Sequence, residues 1–196
     1  MIETIAALPR TSLAELIPLS DGFLTIDERV LADIEPRLQL VERAQAESDV
    51  TLKQPIPYVV IMRQGQVWLM RRLRGGTEAR LHGSLTAGVG GHIDAPFRVP
   101  GCIEDTLHRE WDEEVHVSES PEFEWLGVVN DDSVEVGQYH VGLVYLVRLP
   151  AGADVRVGEP HKLEGWWESP AEALARGAAL ETWSTFVLRE LVARGE

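Results

Sequence analysis

The chain has a single cysteine, Cys102, in 196 residues. An internal disulfide is therefore excluded, nothing marks an oxidising compartment, and a cytoplasmic setting is expected. Long apolar runs are missing as well: nowhere do 18 uninterrupted apolar residues occur, and the opening MIETIAALPRTSLAEL has no basic start ahead of an apolar stretch. Neither a membrane span nor a signal peptide is expected. Positive charge is scarce, with 18 Lys and Arg against 32 Asp and Glu, a formal net charge of −14. Such a surface repels nucleic acid and anionic membrane, so neither is an expected partner. A phosphorylated ligand would need metal ions or a few placed arginines to approach it. The six histidines form no HExxH or other close pair, and Cys102 has no second cysteine. A zinc site is therefore not expected. Cys102 also has no base near it in sequence that would make it a nucleophile. Repeats and low-complexity tracts are missing.

What is present is ordinary globular composition, 44% apolar and 26% charged, enough for one main domain plus a modest extension. Residues 1–50 read as a mostly helical N-terminal extension. Thr25 followed by Glu28 has capping-box spacing, Val30, Leu31, Ile34, Leu38 and Val41 recur at helical intervals, and Pro36 should kink or split that helix. The apolar stripe predicts packing on the main domain, where the extension would shape the ligand pocket or a homodimer contact. Residues 49–57, with Pro55 and Pro57, connect to a main domain over 51–196. There YVVIMRQ and QVWLMRR flank Gly65 as a hairpin, followed by the glycine-spaced strand SLTAGVGGHI. A helix is expected over 101–115, then strands FEWLGVVN and QYHVGLVYLVRL. A second capping box lies at Ser169 to Glu172 with a stop at Gly177, and a last helix covers 181–194. The order is α, then β-β-β-α-β-β-α-α, an α+β mixture without βαβ alternation.

The segment GGHIDAPFRVPGCIEDTLHREWDEEVHV, residues 90–117, carries the chemistry. At about 100° per residue its helix places Ile103, Leu107 and Trp111 on one apolar arc. Asp105, His108 and Asp112 fall on the solvent side, as an ordinary solvated acidic face would. Glu110 and Glu114 fall beside or inside the apolar arc, with Glu113 just beyond. Carboxylates one turn apart repel, and burying them without a partner is costly. A hard divalent cation, which binds oxygen ligands shared between one or two carboxylates and substrate phosphates, resolves both problems.

REWDEEVHV, residues 109–117, resembles the second half of the Nudix signature, and Gly90-Gly91 after a strand resembles its first half. The resemblance covers roughly residues 56–190. It implies a Nudix-like α/β/α sandwich with a mixed sheet, and a pyrophosphohydrolase dependent on Mg²⁺ or Mn²⁺. The substrate would be a small-molecule diphosphate, a nucleoside diphosphate linked to another group or a related organic diphosphate. Carried over residue by residue, Glu110, Glu113 and Glu114 become metal ligands with the main-chain carbonyl of Gly90. Arg109 becomes the orienting residue, and Glu113, or a carboxylate outside the helix, the general base. The chain departs from the signature in a loop four residues longer, in Gly101 where the first signature glutamate belongs, with Glu104 a stand-in, and in His116 at the closing glycine. His116 is expected to end the helix with positive φ.

Arg71 and Arg72, ending a strand, are candidate phosphate-binding residues as readily as ordinary surface arginines. Asp131, Asp132, Glu159 and Glu164 are loop acids able to add a metal ligand or base, with Glu164 the preferred one. Trp166 and Trp167 suit a core or a stacking platform. Two other functions fit the same fold: a Nudix-like nucleotide-binding or sensing domain, and an isomerase of isoprenoid diphosphates. The intact REWDEE argues against the first. The position of Cys102, outside any upstream strand, argues against the second.

Overall fold

The α+β class expected from the sequence is what the chain adopts. The computed structural model describes residues 2–73 and 83–196. The first part of the chain runs β1 (Thr4–Pro9), α1 (Arg10–Ala14), β2 (Gly22–Leu24), α2 (Val30–Ile34), β3 (Gln39–Glu42), α3 (Arg43–Ala46), β4 (Leu52–Arg63), β5 (Gln66–Arg72), β6 (Leu85–Thr86) and β7 (Gly88–Gly90). Then come α4 (Cys102–Glu114), β8 (Val115–His116), β9 (Glu124–Asn130), α5 (Glu135–Tyr139), β10 (His140–Arg148), β11 (Arg156–Val157), β12 (Leu163–Glu168), α6 (Pro170–Leu174) and α7 (Thr182–Arg194). Among the described residues no helix is long and apolar enough to cross a membrane. The residues group into two compact units, and β4, β7, α4, β9 and β10 contribute to both.

The first unit joins the segment ending at Tyr58 to Gly90–His108 and Trp125–Val144. Strands β4, β10, β9 and β2 are neighbours in that order, and β1 pairs antiparallel with β3 and with the start of β4. Residues 1–50, read as mostly helical, therefore carry three strands as well as short helices. The helical spacing from Val30 is realised only as α2, which passes into a 3-10 turn at Glu35–Arg37 around Pro36, while Val41 lies in β3. The expected cap does not form: Arg29 precedes α2 without a side-chain cap, and Asp27 pairs with Arg29 instead. Partners distant in sequence override local periodicity here. Ile5 faces Val41 across the ladder, and the Ala6 N–H donates to the Ile93 carbonyl at 2.8 Å. Ile5, Leu8, Leu13, Ile34, Ile93 and Leu143 form part of its buried apolar set.

The second unit comprises Val59–Val89, Arg109–Glu124 and Tyr145–Glu196. Its centre is β5, hydrogen-bonded to the end of β4 on one edge and to β12 on the other, with β6 at its far end. The β4–β5 hairpin turns at Gln64 and Gly65, both with positive φ, as a two-residue turn of that twist requires. Side chains alternate faces along β12. Trp167 meets Trp68 edge-on at 5.0 Å between centroids, and the Arg63 guanidinium sits 4.2 Å from the Trp167 ring. The Ser169 capping box forms as expected, with Pro170 opening α6. Helix α7 ends on left-handed Gly195 and is tied to β6 and its neighbours: Ser184 Oγ accepts from the Ala87 N–H at 2.9 Å.

Candidate active site

Helix α4 follows the wheel drawn from the sequence. Ile103, Leu107 and Trp111 are each 3% exposed, Glu110 is buried at 7%, Glu114 is half-buried, and Asp105, His108, Asp112 and Glu113 are exposed. Its start is built by an unexpected residue. Gly101, whose carbonyl accepts the Asp105 N–H, has no side chain to cap the helix. The buried Glu35 does so, accepting from the Gly101 N–H at 2.9 Å and the Ile103 N–H at 3.0 Å, with the Cys102 thiol 3.5 Å away. Burial, and then the Glu35 carboxylate, push the Cys102 thiol up to about 12. Glu104, the expected stand-in for the first signature glutamate, is exposed in the first turn.

The helix end is sealed from a different segment. The Gly158 N–H donates to the Glu114 carbonyl at 2.8 Å, and a Cβ at 158 would lie 2.0 Å from the Glu113 carbonyl oxygen, so only glycine allows the approach. His116 does not end the helix with positive φ. It is extended in β8, opposite Arg156 of β11, so strand pairing takes over where a left-handed cap was expected.

Arg109 holds the acidic turn together. Its guanidinium lies 2.7 Å from Glu110 and 3.6 Å from Glu113, so the residue expected to orient Glu113 reaches Glu110 more closely. Glu114 is pushed up to about 7, first by burial and then by the Glu110 charge; Arg72 works against the rise, while Glu159 and Glu113 add to it. Glu110, Glu113 and Glu159 thus all act on Glu114 in the same direction as its burial, and Arg72 acts against them. Among the described residues, no three His, Cys, Asp or Glu side chains converge into a ready-made metal cage. The donor set nonetheless fits a hard divalent cation. Such an ion needs few protein carboxylates, completes its shell with water and phosphate oxygens, and would relieve the repulsion around buried Glu110 and Glu114.

Arg71 and Glu164 face each other across the β5–β12 ladder and form an ion pair at 3.0 Å, with the Arg71 guanidinium 5.4 Å from the Trp166 ring centroid. Arg72 instead binds Glu181 at 2.6 Å, at the start of α7. Glu159 pairs with Lys162 at 2.7 Å. In the first unit, Gly90 ends β7 against β4, where a Cβ would lie 2.0 Å from the Pro57 carbonyl oxygen. Asp132 there is bound by Lys53 and Arg10, whereas buried Asp131 accepts from Ser133 through Oδ1 alone. Sequence reasoning missed Glu35 and Lys53. Neither carries a local signal, since their partners lie 66 or more residues away.

Comparison with known proteins gives concordant results. The NUDIX domain family matches residues 53–187. Protein YmaB of Bacillus subtilis (strain 168) is 37% identical over 199 residues, covering 96% of this chain and 97% of that protein. The crystal structure of Tm1382, a candidate Nudix hydrolase, superposes with a TM-score of 0.83 at 28% identity, over 98% of this chain and all of that one. The NUDIX domain of Shewanella oneidensis NrtR, solved with ADP ribose, shares the fold at a TM-score of 0.56 and 17% identity, over 74% of this chain and 89% of that one.

Proposed function

The chain belongs to the Nudix family and is a Nudix-type pyrophosphohydrolase, and on that premise we propose that it is metal-dependent, with Glu110, Glu113 and Glu114 as the ligands of Mg²⁺ or Mn²⁺. The observation that carries this reading is the placement of Glu110 and Glu114. Both are withdrawn from solvent on one helix face, and burial and mutual repulsion raise the Glu114 carboxyl to about 7. A carboxylate kept for solubility has no reason to be there. The carbonyl of Gly90 enters the ligand set through the signature resemblance. When bound, the cation neutralises charge developing on the diphosphate oxygens and acidifies water.

The protein's own groups supply the rest. Arg109, within ion-pair reach of both Glu110 and Glu113, fixes the rotamers of these carboxylates and so sets where their oxygens point. Glu113, the most exposed of the three, is the proposed acceptor of the proton from the attacking water. Arg71, Arg72 and Glu164 are proposed substrate contacts. Arg71, partly exposed beside Trp166, offers a fork for phosphate next to an aromatic face able to stack a base or sugar. A nucleoside diphosphate linked to another group matches that combination, and an organic diphosphate lacking a base would use only the fork.

The test is phosphate release from a panel of nucleotide and sugar diphosphates with Mg²⁺, Mn²⁺ or excess chelator. Turnover of at least one nucleoside diphosphate derivative is expected with either metal and none with chelator. Full turnover in chelator would refute the metal-dependent reading.

A further inference from the structure

We infer that Glu35 is a positioning residue of the metal-binding helix, supplying from the N-terminal segment the carboxylate that the signature lacks at Gly101. The inference rests on the metal-dependent reading above. Four observations carry it. Glu35 is 7% exposed, although a lone glutamate is rarely kept in a protein interior without a partner. Its two oxygens are divided between two donors, one accepting from the Gly101 N–H and the other from the Ile103 N–H. Those donors lie at the N-terminal entry of α4, Gly101 just before it and Ile103 in its first turn, where backbone N–H groups have no partner within the helix and where negative charge is favoured. Glu35 is itself held in place, because Pro36 follows it in a 3-10 turn and Arg37 binds both the Ser12 carbonyl and Glu15.

The consequence reaches the acidic turn through α4 alone. That helix is continuous from Cys102 to Glu114, so fixing the phase of its first turn fixes the direction in which Glu110, Glu113 and Glu114 project. Glu110 follows Ile103 by seven residues, two turns or about 10 Å along the axis. A one-residue slip in the register of the helix rotates everything after it by about 100°, which would carry the carboxylates off the buried face. Gly101, at φ +112° and without a side chain, cannot perform this function.

The test compares wild type, Glu35→Gln and Glu35→Asp at a temperature where each is folded. Gln preserves shape but leaves one acceptor oxygen and sets an amide donor against an N–H. Asp keeps both oxygens on a shorter stem. Three quantities are measured: Mn²⁺ binding without substrate, kcat and KM at saturating Mg²⁺, and the rate at which Cys102, buried beneath the cap, reacts with an alkylating reagent. For Glu35→Gln, faster alkylation is expected together with Mn²⁺ affinity and kcat each lowered by about tenfold or more, while KM stays nearly constant. Glu35→Asp, whose shorter stem reaches the two donors less well, should recover only part of the loss. Faster alkylation with wild-type Mn²⁺ affinity and kcat would reduce Glu35 to a structural cap and overturn the inference, as would alkylation unchanged from wild type. If Glu35→Gln does not fold, Glu35→Asp decides: reduced Mn²⁺ affinity supports the inference and wild-type affinity overturns it. A wild type that neither binds Mn²⁺ nor needs metal would defeat the metal-dependent reading and this inference together. A metal-dependent wild type with an indifferent Glu35→Gln defeats this inference alone.

Discussion

Lys53 and Glu110 are both buried charged side chains, one in each unit, and they are surrounded in opposite ways. The Lys53 ammonium, fully enclosed, shares its three N–H donors among four acceptors, Asn130 at 2.8 Å, Asp132 at 2.8 Å and the carbonyls of Gly137 and His140 at 2.7 and 3.0 Å. Arg10 adds a second cation on Asp132. Burial alone would raise the Asp132 carboxyl, but hydrogen bonds from Lys53 and Arg10 outweigh it and hold Asp132 below the usual carboxylate range. Glu110 is paired with Arg109, yet Glu114 shares its face and is raised to about 7. The first cluster sets acceptors and an acid against its cation, although burial still outweighs them and lowers the Lys53 ammonium. The second sets carboxylate against carboxylate on a buried face, a repulsion that a bound cation would relieve. A buried charge set among opposite charges is architecture, and carboxylates crowded on one buried face mark where a cation would bind.

The contrast is sharpest under substitution. Lys53→Met removes a cation from this network, leaving Asp132 with Arg10 alone and Asn130 Oδ1 and two carbonyls short of a donor. A loss of roughly 3–5 kcal/mol is expected, read as a lower denaturation midpoint, with the Mg²⁺ requirement of the folded fraction unchanged. A mild effect on stability, or a changed metal requirement, would blur the distinction between the clusters.

The pH dependence of the metal-free protein separates them again, with opposite signs. Asp132, depressed in the folded state, contributes stability that is present above its unfolded value and lost as pH falls through the folded one. Glu114, raised in the folded state, contributes stability that is fully present below about 4.5 and lost as pH rises through about 7. Between pH 5 and 8 wild type should therefore lose stability relative to Glu114→Gln, by up to about 3 kcal/mol. Chemical denaturation of both proteins in chelator across that range measures the difference. Parallel curves would mean that Glu114 carries no such tension.

How much of this could be read from the chain depends on the distance between partners. The α4 wheel, the hairpin at Gln64 and Gly65, the Ser169 cap and the final helix are specified by residues within a few positions of one another. So is REWDEE, and with it the family. The N-terminal strands could not be read, because β1 is defined by β3, by Lys53 and Leu52 and by the Ile93 carbonyl, while the spacing from Val30 to Val41 imitates a helix. Glu35 and Lys53 look like ordinary surface residues in the sequence, and their burial arises only from tertiary partners. His116 was misread for the same reason: its conformation is set by pairing with Arg156, not by its own propensity.

The central claim is that a cation completes the cluster around Glu110 and Glu114, and Mg²⁺-dependent stabilisation of wild type against Glu114→Gln tests it most directly. Ligand bound only to the folded state raises its stability with concentration. Near pH 8 wild type should melt at increasingly high temperature as Mg²⁺ is added. Glu114→Gln should be as stable as wild type or more so without metal, respond weakly to Mg²⁺, and turn over diphosphate substrates more slowly by two orders of magnitude or more, on the order of the 100-fold typical of groups that order a metal site. A Glu114→Gln protein with wild-type Mg²⁺ response and wild-type turnover would contradict the account.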